Sequence, residues 1–225
     1  MDRSRLEAFS DGVFAVAITL LALNLTVAGP GHGKLIDQLG AHWPSIVAYL
    51  ISFFTIGIIW VNHHGLIRTV KYVDRMLLFL NLVLLLFVVL IPFATGLVAE
   101  YLRASQRPED TRVAMALYVA VFLGMSAGFG GIFEWTLHGE RVYQPVPADR
   151  RWGARIRFVG GAGVYVVTFV IALVNAYVAF ALMGLVAVYY VFERTPTAPG
   201  EGAAPDSPGD DAPSTLTPEL GSQGK

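Results

Sequence analysis

A chain of 225 residues that is 55% hydrophobic and 15% charged, with a mean hydropathy of +0.57, is too apolar to present a wetted globular surface, so a soluble domain is excluded. The formal net charge of -1 hides an asymmetry, because Lys and Arg gather between the apolar runs while the acidic excess sits in the tail; net charge therefore names no partner, and nothing calls for nucleic acid. With no cysteine, disulfides, thiolate metal sites and cysteine nucleophiles are excluded as well.

Residues 5–11, RLEAFSD, stand directly before an uncharged run over 12–31 that is long enough to cross a bilayer. Arg5, Ser10 and Asp11 thereby fall at a membrane surface, where charge is tolerated only for a reason. Glu7 and Asp11 intrude where the basic start of a signal peptide would pass into apolar residues, so a retained first helix is expected. Behind the motif, Val16, Leu20, Leu23 and Val27 follow at i, i+4, i+7 and i+11, one aliphatic helical face. Polar motif and stripe together suggest an ion path. On an isolated span the face signifies nothing, since lipid and protein core both accept it. When symmetric copies aim it at one axis it becomes a constriction, and an ion passing there sheds part of its water against apolar walls. Potassium, more weakly hydrated than sodium, loses less.

Further uncharged runs cover 43–61, 76–99 and 113–133, and a stretch over 158–192 is too long for one crossing. That stretch should be a hairpin turning near Asn175 and Ala176. The expectation is an all-α polytopic membrane protein, six transmembrane helices within residues 1–194, with spans at about 8–29, 43–64, 76–99, 113–135, 156–174 and 177–193. With the N-terminus cytoplasmic, twelve Lys and Arg lie inside, Arg68, Lys71 and Arg75 in one loop and Arg141, Arg150, Arg151, Arg155 and Arg157 in another; only Lys34, Arg103, Arg107 and Arg112 lie outside. Both termini are then cytoplasmic. Trp43, Trp135 and Trp152 fall near helix ends, where indole rings favour the headgroup layer. Residues 195–225 are rich in Pro, Gly, Ser and Asp and should form a disordered cytoplasmic tail, with Asp206, Asp210 and Asp211 as solvated charge.

Asp11 and Arg5 are six residues apart, which turns a helix by about 600°, or about 240° past a whole number of turns, so they do not share a face. Partners for Asp11 must come from other helices. Trp60, Asn62, His63 and His64 at the end of the second span, Arg68 and Arg75 on the loop, and Asn81 in the third span reach the same depth. A hydrogen-bonded cluster joining three helices is expected, either as a frame that fixes the first helix at a pore mouth or as an ordinary interfacial polar cluster. His63 and His64 project about 100° apart with no third ligand at i+4, so no metal site is expected; a hydrogen bond from either to Asp11 would make the site respond to pH. Gly124 and Gly128, and the group Gly160, Gly161 and Gly163, read as close helix packing within or between subunits. The Asn24-Leu25-Thr26 sequon lies too near the membrane to be a glycosylation acceptor.

Arg5, Phe9, Ser10 and Asp11 fill an RxxxFSD signature, followed by GVFAVAITLLALNL, by WVNHH at 60–64, and by FLNL at 79–82 with PFAT at 92–95. These motifs resemble the potassium channel family that includes the animal endolysosomal channel transmembrane protein 175 and its bacterial and archaeal relatives, strongly over residues 3–99 and by pattern alone beyond. The resemblance implies a homotetramer whose pore is lined by the first helix of each subunit, with no re-entrant loop, potassium ions as the permeant species and no cofactor. It also implies that Val16, Leu20 and Leu23 stand where relatives carry bulky constricting side chains and that Thr19 stands at a polar layer. Val16 replaces the usual isoleucine, which should widen that ring and relax selectivity there. The single-repeat length implies the prokaryotic form, in the plasma membrane. No TVGYG-like segment is present to supply a ring of carbonyls. A proton-coupled secondary transporter using Asp11 and the histidines, and a non-conducting membrane scaffold, are the alternatives. Transporter sites sit near the midplane in broken helices or across repeats, whereas the span centres here carry no ionisable residue and Pro92 is the only proline in the interior of a span. An enzyme is not expected, because no nucleophile–base pair or metal-ligand set occurs in the spans or loops.

Overall fold

The computed structural model describes residues 2–27, 29–138, 141–143 and 148–192, with the side chains of 148–150, 154, 157 and 158 set aside. The tail expected over 195–225 lies outside the described residues. Seven α-helices carry this part of the chain: α1 Arg3–Ala22, α2 Leu35–Ala41, α3 Trp43–Arg68, α4 Arg75–Ala104, α5 Pro108–Leu137, α6 Ala148–Val174 and α7 Ala176–Phe192. By length and composition α3, α4 and α5 are each able to cross a membrane, while Val159–Val174 and Ala176–Phe192 are shorter apolar helices.

The helices outrun the apolar stretches that announce them. Backbone hydrogen bonding continues into polar ends, so α3 reaches Arg68 and α5 starts at Pro108, a residue whose missing N–H costs nothing in a first turn that also carries Glu109 and Asp110. Only Asn175 separates α6 from α7, and its side-chain oxygen accepts from the N–H groups of Tyr177 and Val178 at 3.0 and 3.1 Å, starting the new helix.

The first apolar run does not form one helix. The N–H groups of Leu23, Asn24 and Leu25 reach back three residues, to Leu20, Leu21 and Ala22, so α1 tightens and stops. Gly29, Gly31 and Gly33 then take φ of 84°, 93° and 95°, a region other residues enter at a cost. Gln38 of α2 ties the loop down, its carboxamide bonding the N–H and carbonyl of Gly29 and the carbonyl of Gly33. Val27 consequently leaves the stripe expected from helical spacing.

α4 packs against α1, α3 and α5. Glycines let α5 approach it: a Cβ on Gly128 would sit 2.8 Å from the Leu84 Cα, and Gly124 and Gly131 meet the side chains of Phe87 and Leu80. The GxxxG pair therefore packs within the subunit. Gly161 meets the Tyr190 hydroxyl of α7, while Gly160 and Gly163 have no neighbour within the subunit. Between the helices, the buried Ser52 hydroxyl pairs with Thr95 at 2.7 Å and Tyr118 at 2.9 Å, which satisfies one polar group from each of α3, α4 and α5.

At the end of the bundle where α1 begins, two loops pair as a short antiparallel bridge at Val70 and Val142, with Lys71 N–H donating to the Arg141 carbonyl and Tyr143 N–H to that of Thr69. Trp135 is 4% exposed and donates from Nε1 to Asp74 Oδ2 at 3.1 Å, while Asp74 Oδ1 caps Leu77 and Arg141 lies over the indole. Trp135 is therefore packed inside the subunit with its N–H satisfied by Asp74, whereas Trp43 and Trp152 are exposed.

Candidate pore helix and its polar anchor

α1 has two apolar faces with different fates. Leu6, Ser10, Phe14, Ala17 and Leu21 repeat every three or four residues and are buried against the subunit. Arg5, Phe9, Val16, Thr19, Leu20 and Leu23 run along the opposite side and are exposed. Val16 is 56%, Leu20 39% and Leu23 70% exposed, high values for aliphatic side chains on a helix whose other face is sealed. Leu23 is the C-cap residue, so this stripe ends where the helix ends. The Thr19 hydroxyl donates to the Val16 carbonyl at 2.8 Å, leaving its oxygen on the exposed side to accept.

The buried face carries the polar contacts. Ser10 Oγ donates to the Leu6 carbonyl at 2.9 Å and accepts from Asn81 Nδ2 at 3.0 Å. Asn81 Oδ1 lies 2.8 Å from His63 Nε2, a bond in which the histidine donates when that nitrogen holds the proton. All three residues are sealed from solvent, so each bond answers a polar group that would otherwise be stranded. The His63 ring also packs on Phe14, centroids 5.5 Å apart. One residue round the helix from Ser10, Asp11 accepts from Trp60 Nε1 at 2.8 Å. Ser10, Asp11, Trp60, His63 and Asn81 thus join α1, α3 and α4.

Other members expected in the cluster stand apart from it. Arg5 and Phe9 continue the exposed stripe, because helical register carries them away from Ser10. Neither histidine bonds Asp11: His63 is taken by Asn81, and His64 packs beside the Trp60 ring at 6.2 Å, its Nδ1 enclosed without a hydrogen-bond partner among the described residues, as is Glu7 Oε1. Arg75 lies over the Phe79 ring. The described residues hold no group of three metal-ligating side chains.

Two contacts escaped the sequence reading. Arg3 Nη1 donates to the carbonyls of Arg68 and Val70, attaching the first turn of α1 to the paired loops. Asn24 Nδ2 donates to the Pro92 carbonyl at 3.0 Å, attaching the other end of α1 to α4. A lone carboxamide in an aliphatic run was the available signal for the second.

The profile of the endosomal/lysosomal potassium channel TMEM175 matches residues 5–92, the part that holds nearly all of α1, the whole of α2 and α3, and α4 as far as Pro92. A potassium channel of Streptomyces collinus is 43% identical over 206 residues, covering 91% of this chain and 98% of its own. The crystal structure of a lysosomal potassium-selective channel TMEM175 homolog from Chamaesiphon minutus superposes with a TM-score of 0.72 at 33% identity, covering 84% of this chain and 96% of that one. In Gallus gallus, the endosomal/lysosomal proton channel TMEM175 is 36% identical over 157 residues, which is 64% of this chain and 30% of that protein. With similarity running along nearly the whole length of the Streptomyces and Chamaesiphon relatives, the chain belongs to the TMEM175 potassium channel family.

Proposed function

We propose that this protein is a passive, potassium-selective ion channel of a bacterial plasma membrane, built as a homotetramer of six-span subunits with both termini cytoplasmic. In this reading α1, α3, α4, α5, α6 and α7 are the spans, and four copies of α1 line the passage. Rings of Val16, Leu20 and Leu23 form an apolar constriction in which a cation gives up part of its water, and the Thr19 hydroxyls supply oxygen between them. The smaller Val16 leaves discrimination to the leucine rings. One observation carries the reading: α1 is held by its Ser10 face while its aliphatic stripe stays uncovered in the single subunit. A single helix cannot enclose a path, so the stripe needs symmetric copies to become one. The names of the Streptomyces and Chamaesiphon relatives support potassium as the permeant ion.

Purified protein in liposomes with a potassium gradient tests this. Flux that follows the electrochemical gradient and exceeds sodium and proton flux is expected; saturable, proton-coupled uptake would identify a carrier and overturn the channel, and absence of flux would leave a scaffold.

A further inference from the structure

Asn24 follows Leu23 immediately, at the point where α1 has already tightened into bonds that span three residues. Its side chain is the polar tie for this end of the helix, through Nδ2 to the Pro92 carbonyl. Gly96, one turn further along α4, makes the approach possible: a Cβ there would lie 2.8 Å from Asn24 Oδ1 and 3.1 Å from Cγ. The polar anchor at Ser10 lies ~20 Å down the helix, so near Leu23 the buried Leu21 and the Asn24 bond hold α1 in place. We propose that Asn24 is a positioning residue for conduction: its latch onto the Pro92–Gly96 turn of α4 fixes the direction in which Leu23 meets the ion path and so sets potassium over sodium discrimination. The inference rests on α1 lining the pore.

Bi-ionic reversal potentials of the full-length protein in planar bilayers test it, with size-exclusion elution as the check on assembly. Asn24→Ala and Gly96→Ala should each lower the potassium-to-sodium permeability ratio, by about threefold, the bias of one interhelical hydrogen bond. In an Asn24→Ala background, Gly96→Ala should add nothing, since no carboxamide remains to be displaced. A shift of equal size in both backgrounds overturns the latch, because Gly96 would then act by another route. If Leu23→Ala changes the ratio and Asn24→Ala does not, the latch fails while the pore assignment stands; if Leu23→Ala leaves the ratio unchanged, the pore assignment fails and the latch with it. Should Asn24→Ala not assemble, an unchanged ratio in Gly96→Ala alone overturns the proposal.

Discussion

Asn81 offers the sharpest energetic test of the anchor. It is 1% exposed and serves two buried partners, donating to Ser10 and accepting from His63. Asn81→Ala strands the His63 ring nitrogen outright, whereas Ser10 keeps its bond to the Leu6 carbonyl. An orphaned buried group costs about 1–3 kcal/mol, and interhelical bonds inside membranes fall toward the lower end of that scale. Adding about 1 kcal/mol for the space left by the carboxamide gives a loss of about 2–4 kcal/mol. Equilibrium unfolding of the purified protein in mixed micelles reads this directly. Asn81→Leu refills the space but not the bond and should still lose about 1–3 kcal/mol. Adding His63→Leu to Asn81→Leu should recover part of the loss, because neither position then holds an unanswered polar group. If Asn81→Ala and Asn81→Leu both stay within about 0.5 kcal/mol of wild type, the polar cluster does not secure α1 and the reasoning fails.

Gly128→Val should destabilise by about 1–3 kcal/mol, since its branch meets the Leu84 backbone, while Gly57→Ala, beside open space, should be neutral in the same thermal melt. Asp74→Ala removes both the cap on Leu77 and the Trp135 bond, with an expected loss of about 1–3 kcal/mol and a shift in tryptophan emission; unchanged emission would contradict the contact. Trp60→Phe keeps the ring but not the donor to Asp11, at a partly exposed site, and should speed amide hydrogen exchange in the first turns of α1 by about fivefold; exchange at the wild-type rate would show that the bond does not restrain them.

Features decided by local spacing were readable in the chain. The interruption at Asn175 follows from a length no single span can use, and the shared depth of Asp11, Trp60, His63 and Asn81 follows from their places at helix ends. Register also held the information that Phe9 cannot point with Ser10, although the motif reads as one unit. Features decided by distant partners were not readable. Leu6, Phe14 and Leu21 are as apolar as Val16, Leu20 and Leu23, so periodicity cannot say which stripe of α1 the subunit covers. The tie of the end of α1 through Asn24 depends on Pro92 and Gly96 in another helix, and the indole bond of Trp135 depends on Asp74, 61 residues away. The Val70–Val142 bridge joins two loops that have no strand character of their own.

The bonds from Ser10 to Asn81 and from Asn24 to Pro92 run to one neighbour, in the same sequence order, so α1 and α4 lie side by side and point the same way. A piston stroke of one helical turn, ~5.4 Å, would tear both attachments at once. Rolling about the line through them would break the Asp11–Trp60 bond to α3 and unseat the buried Phe14 and Leu21. The arrangement behaves like a shaft seated in two bearings: the height of Leu20 and Leu23 is fixed by the bonds to α4, and their facing by the contacts α1 makes around them.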